Sequence, residues 1–216
     1  MVNIFNKHTL DLKFSVNFKK KLEEQIQLIE NESAVEIVPV FVERSSDYID
    51  FRRFYALLLM LLFLLMERFL PVGSGSIFSD WGLATLLSTL AFFFWDYCPQ
   101  YLLPAIPKEE RFKRVYQGAN ASFVKNEVFA TRQRSGILIY ISLLEKSVLI
   151  LADKGFKNKV PDTLWTELSQ SLAQDFDAEN PGHSFFKALD SFKGKFQSIF
   201  PREADDPNEL PDNLRE

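Results

Sequence analysis

The sequence predicts an α/β domain with a small mixed β-sheet of three or four strands between helices, interrupted by a two-helix transmembrane hairpin. Three observations predict it. Two short apolar, β-branched runs, 136–142 and 147–152, stand four residues apart, a spacing that only an antiparallel hairpin satisfies. A third such run, 34–43, comes earlier, and a long helical pattern leads from the middle of the chain into 136–142. That is the order of a parallel crossover. Between these halves lie two adjacent apolar segments, near 54–72 and 81–103, with no polar face in their central parts.

The elements follow in order. Residues 1–14 form an N-terminal segment without the unbroken apolar stretch and small-residue cleavage site of a secretory signal. Over 15–33, Phe18, Leu22, Ile26 and Ile29 recur at spacings of four, four and three, which places them on one helical face. Residues 34–43 are nearly all apolar, as in a strand buried on both faces. Pro39 lacks an N–H, so this strand belongs at a sheet edge or carries a bulge. Together, 15–50 make the first part of the domain and 51–107 the inserted hairpin.

The second part of the domain, 108–200, opens with a helical pattern over 108–131 that carries Phe112, Val115, Ala119, Phe123 and Val124. The two strands come next. Pro161 and Asp162 then open a helix with Trp165, Leu168, Leu172 and Phe176 on one face. A last helix is expected over 184–199. The residues 201–216 read as an acidic, extended tail.

In the hairpin, Phe54–Met66 is apolar apart from the Tyr55 hydroxyl, and Glu67 and Arg68 interrupt it before Phe69–Val72. Gly73-Ser74-Gly75-Ser76 lacks the lysine and preceding strand of a phosphate loop and reads as a connection. Trp81, Trp95, Tyr97 and Tyr101 sit towards the ends of the second segment, as in the aromatic belts of membrane helices. Arg44, Arg52 and Arg53 precede the first apolar segment, and Lys108, Arg111, Lys113 and Arg114 follow the second. The positive-inside rule therefore expects both termini in the cytoplasm. Asp96 is expected to pair with Arg52 or Arg53 near that interface, while Glu67 and Arg68 satisfy each other or reach water at the opposite end.

Composition narrows the chemistry. A net charge of −4 disfavours binding to nucleic-acid phosphates. Cys98 is the one cysteine, so disulfides within the chain and cysteine-based zinc sites are excluded. His8 and His183, the only histidines, have no ligand spacing, and no nucleophile elbow or P-loop is present. No catalytic residue, metal ligand or cofactor is therefore expected. One arrangement stands out. A hairpin of 136–142 with 147–152 brings Arg132 or Arg134 near Asp153, where a guanidinium beside a carboxylate holds an anion or forms a plain surface salt bridge.

Four stretches carry a resemblance to a known family. They are Glu36–Val40 with Arg44-Ser45-Ser46-Asp47-Tyr48, then Thr131–Ile139, then Val148–Gly155 with Val160-Pro161 and Trp165, and finally Phe200-Pro201 with Asn208–Asp212. This layout resembles the TPM domain family, and within it a bacterial branch whose domain is split by a transmembrane hairpin. Arg132–Ser135 stands where many members have a glycine-rich stretch. The resemblance implies an α/β sandwich held in a bacterial inner membrane. It also implies diverse roles, from reported acid phosphatase activity and calcium binding to service as accessory proteins of membrane complexes. The expected function is a membrane-anchored interaction or assembly module for a protein partner in the same bilayer. The alternative is a membrane-bound hydrolase of phosphate esters. With both connections to the hairpin short, the carboxyl end of the first strand is expected at the lipid headgroups, and Arg132, Arg134 and Asp153 at the distal end.

Overall fold

A computed structural model describes residues 16–69, 77–157, 159–174, 186, 190, 193 and 196–202. The expected N-terminal segment 1–14, the Gly-Ser connection at 73–76, Phe176 and the tail beyond 202 lie outside the described residues. The elements are α1 (Val16–Glu30), β1 (Glu36–Val42), α2 (Ile49–Phe69), α3 (Ile77–Tyr97), α4 (Lys108–Lys125), β2 (Gly136–Ser142), β3 (Ser147–Ala152) and α5 (Asp162–Gln174). Parts of the expected last helix, 196–199 among them, are helical. The chain divides into two compact units, one of residues 1–45 with 112–216 and the other of 46–111.

The first unit is built on a three-stranded sheet in the order β1-β2-β3. β1 pairs in parallel with β2, Glu36 opposite Gly136 and Val42 opposite Ser142. β2 pairs antiparallel with β3, Ile137 opposite Ala152 and Ser142 opposite Ser147. The architecture is the mixed α/β arrangement that the sequence predicts, a small sheet between helices. Pro39 is accommodated because β1 is an edge strand, and its register with Ile139 runs through without a bulge.

Alternation along the strands sorts the core into two layers. Ile37, Phe41, Ile137, Ile139, Ile141 and Ile150 face one side, where Leu22, Ile26 and Ile29 of α1 and Leu164 and Leu168 of α5 cover them. Phe156 anchors that layer, its ring 4.6 Å from Phe200 and 5.2 Å from Trp165. On the other side Val38, Val40, Leu138 and Tyr140 pack under Val115 and Ala119 of α4. The segment after Phe196 returns to β1. Ala34 N donates to Phe200 O at 2.9 Å, and Ser33 bridges Pro201.

α4 is shorter than the helical pattern over 108–131. It stops at Lys125 because Glu127 takes a left-handed conformation, φ 54°. Val128 N then donates to Phe123 O, and Glu127 N to Val124 O, both at 3.1 Å. These are the two bonds of a Schellman motif. Residues 128–135 form a compact loop instead of more helix.

In the second unit α2 and α3 pack antiparallel, Arg52 meeting Asp96 and Tyr55 meeting Trp95. Two short 3₁₀ turns, Pro99–Tyr101 and Leu103–Ala105, end the hairpin. The second is tied back by the Tyr55 hydroxyl, which donates to Ala105 O at 2.7 Å. The expected hairpin is therefore present as a helix pair. Among the described residues no helix is long and apolar enough to cross a membrane. In α2 charges limit the apolar run. The uncharged run of α2, Phe54–Met66, is 13 residues, or about 20 Å of helix, against a hydrocarbon core of about 30 Å.

Candidate functional site

Both ends of the sheet carry buried polar groups. At the amino end of β2, Arg134 takes a left-handed backbone conformation, φ 55°. This turns its side chain back across the sheet end. Its Nη1 donates to Phe129 O at 2.6 Å, and its Nε lies 3.0 Å from Asp153 Oδ2. The Nε–H does not point along that line, so the contact is an ion pair without a hydrogen bond. Asp153 is the more buried partner, its side chain 4% exposed against 43% for Arg134. Its Oδ1 accepts from Lys154 N at 2.7 Å and so caps the 3₁₀ turn Lys154–Phe156.

The surrounding backbone is close-packed. Gly155 N donates to Arg134 O at 3.0 Å, and a Cβ on Gly155 would stand 2.4 Å from Gln133 O. Ser135 N donates to the Thr131 hydroxyl at 2.9 Å, and the Ser135 hydroxyl donates to Ala34 O. The structure brings Arg134 and Asp153 together. Arg132 is exposed and takes no part in that pair. The buried carboxylate and the bonds that hold both chains make this a pin between the loop before β2 and the turn after β3. Asp153, at the end of β3, and Arg134, before β2, stand at the sheet end opposite Val42.

The opposite end holds a cluster that the sequence does not reveal. Glu145, in the four-residue turn between β2 and β3, is 9% exposed. Its carboxylate accepts from Ser45 N–H at 3.1 and 3.3 Å and from the Ser142 hydroxyl. The Tyr140 hydroxyl donates to Ser45 Oγ at 3.2 Å. Gly118 of α4 leaves room for that phenol, since a Cβ there would come within 2.5 Å of the Tyr140 oxygen. Burial pushes the Tyr140 hydroxyl above its ordinary ionisation range of 10.0; the bond to Ser45 opposes that rise, and the Glu145 charge adds to it. This cluster lies at the carboxyl ends of the parallel pair, where open α/β sheets hold their ligands. Ser45 is 100 residues from Glu145 in sequence, and nothing in a Leu-Leu-Glu-Lys turn marks its carboxylate as inward-facing. The only legible hint is the fold itself.

In the hairpin unit Arg52 Nη1 donates to Asp96 Oδ1 at 2.6 Å, and the Arg52 guanidinium stacks 4.3 Å above the Phe92 ring. Arg52 is buried, its side chain 7% exposed, while Asp96 is 42% exposed. Arg53 is exposed and outside that pair. The side chains of Glu67 and Arg68 lie outside what the structure describes. Among the described residues no group of three His, Cys, Asp or Glu side chains is placed to hold a metal ion.

No family model and no curated protein sequence matches the chain. Among solved structures it is similar to the NMR structure of the BA42 protein from the psychrophilic bacterium Bizionia argentinensis. The two share 16% sequence identity over 94% of each chain, with a TM-score of 0.57. At that identity the likeness speaks for the fold alone.

Proposed function

We propose that the chain is a membrane-anchored, TPM-like module whose hairpin sits in a bilayer and whose α/β unit binds or assembles a protein of the same membrane. The observation that carries this reading is the apolar circumference of the hairpin. Leu57, Leu58 and Leu59 are all exposed, at 66%, 36% and 43%. Consecutive helical residues point about 100° apart, so these three face different directions. On α3, Leu83, Leu86, Leu90, Phe93 and Phe94 are each 45% exposed or more. A protein partner covers one face of a helix pair, whereas apolar surface on every side calls for an apolar solvent.

The short uncharged runs are compatible with that solvent. Arg53 sits at the end of the α2 run, where its long side chain can reach the interface, and Asp96, at the end of the α3 run, is paired with Arg52. A shortfall in length is met by local thinning at fractions of a kcal/mol per Å. The basic residues flanking both ends of the hairpin support cytoplasmic termini in a bacterial inner membrane. The test is alkaline carbonate extraction of membranes from cells making the full chain. Retention in the pellet is expected, and release into the supernatant would sink the anchor reading. Purification in mild detergent, followed by identification of co-purifying membrane proteins, tests the partner.

A further inference from the structure

We infer that Glu145 is a latch on the segment by which the chain leaves the sheet, tying the β2–β3 turn to that exit so that the two move together. Three successive contacts make the tie. Leu143 N donates to Val42 O at 3.0 Å and Leu144 N to Glu43 O at 2.8 Å. Beyond them the main-chain ladder ends, and the Glu145 carboxylate takes over by accepting from Ser45 N–H with both oxygens. A hydrogen bond to an ionised acceptor is roughly twice as strong as a neutral one. The Ser142 hydroxyl also donates to Oε2. Ser45 is also held through its own hydroxyl by Tyr140.

The location gives the latch its meaning. Ser45 is the last residue of the first stretch of the α/β unit, and Ser46 begins the hairpin unit. A tight turn needs no inward carboxylate, and burying one is unfavourable unless it is hydrogen-bonded. Here the bonds from Ser45 and Ser142 run to the exit and to the strand beneath the turn. A partner that seats on the turn and moves it therefore pulls directly on Ser45. This holds whether lipid or protein surrounds the hairpin.

The test is amide hydrogen exchange on the full chain in detergent micelles, together with limited trypsin digestion. Glu145→Gln keeps the shape but replaces one acceptor by a donor facing the Ser45 N–H or the Ser142 hydroxyl. The Ser45 amide should exchange at least tenfold faster and cleavage after Arg44 should appear, while the amides of Leu138 to Ile141 keep their wild-type protection. Tyr140→Phe removes only the hydroxyl contact and should leave the Ser45 amide within threefold of wild type. Wild-type exchange at Ser45 in Glu145→Gln overturns the latch. So does a parallel loss of protection in β2, because Glu145 would then be a general determinant of folding and not a local tie.

Discussion

Arg134 Nε and Asp153 Oδ2 stand 3.0 Å apart and bracket the antiparallel pair, one before β2 begins and the other after β3 ends. The carboxylate is nearly enclosed and the guanidinium is half in water. Removing the cation leaves a buried acceptor with less compensation, while removing the acid leaves a cation that water can solvate. Arg134→Ala should therefore destabilise the α/β unit by about 1–3 kcal/mol. Asp153→Ala should add the lost cap of the 3₁₀ turn, about 1 kcal/mol. Urea denaturation followed by far-UV circular dichroism measures both. An unchanged midpoint for Arg134→Ala would reduce the pair to an ordinary surface salt bridge.

The Arg52–Asp96 pair has the opposite asymmetry, with the cation buried. Asp96→Ala should lower the thermal midpoint of the hairpin in detergent by the equivalent of about 1–3 kcal/mol, since a buried guanidinium loses its counter-charge. Replacing both partners, Arg52→Met with Asp96→Leu, should recover most of that loss. If the double variant is no more stable than Asp96→Ala, the ion pair is not the element at stake.

Two glycines give a matched comparison. A Cβ on Gly136 would fall 2.0 Å from Val128 O, which is main chain and cannot step aside, whereas a Cβ on Gly82 meets nothing within 4 Å. Gly136→Ala should destabilise by about 3 kcal/mol through overpacking. Gly82→Ala should leave stability unchanged or raise it by up to about 1 kcal/mol through helix propensity. Thermal melts of the two variants side by side decide it, and equal effects would contradict the geometry.

Tyr140 predicts a pH dependence at the alkaline end. Its ionisation is raised above 10.0 by burial, opposed by the Ser45 hydroxyl and reinforced by Glu145. Below that value the phenol is neutral in both folded and unfolded chains, so its contribution is constant. As pH rises through 10.0 the unfolded chain loses its proton first. Stability should then fall with rising pH until the folded phenol also ionises. Tyr140→Phe should flatten part of that fall. Denaturation midpoints between pH 9 and 11 supply the measurement (the range of Tyr ionisation), and parallel curves for the two proteins would refute the assignment.

How much of this was legible depended on whether the signal was local. The strands 136–142 and 147–152 have the observed bounds because β-branched runs and a four-residue gap are self-contained signals. The nearness of Arg134 and Asp153 follows from their register, yet choosing Arg134 over Arg132 needs the left-handed backbone at Arg134, which sequence does not display. The end of α4 was hidden for a similar reason. Glu127 fills a position that usually declares itself with glycine. Glu145 was invisible because its partner is supplied by the segment after β1, 100 residues earlier. The hairpin was legible as two helices. Its relation to a membrane was not, because length, charge and exposure pull in different directions there.

The parallel pairing of β1 with β2 also sets an order of events during synthesis. Glu36 finds its neighbour Gly136 only after the whole hairpin and α4 have been made. At about 5–20 residues per second, β1, whose first six residues end up buried, waits several seconds with an open edge and no partner. The hairpin segment is therefore made before the sheet can close. A stalled nascent chain whose emerged part ends between Lys125 and Gly136 should therefore still have β1 open to protease.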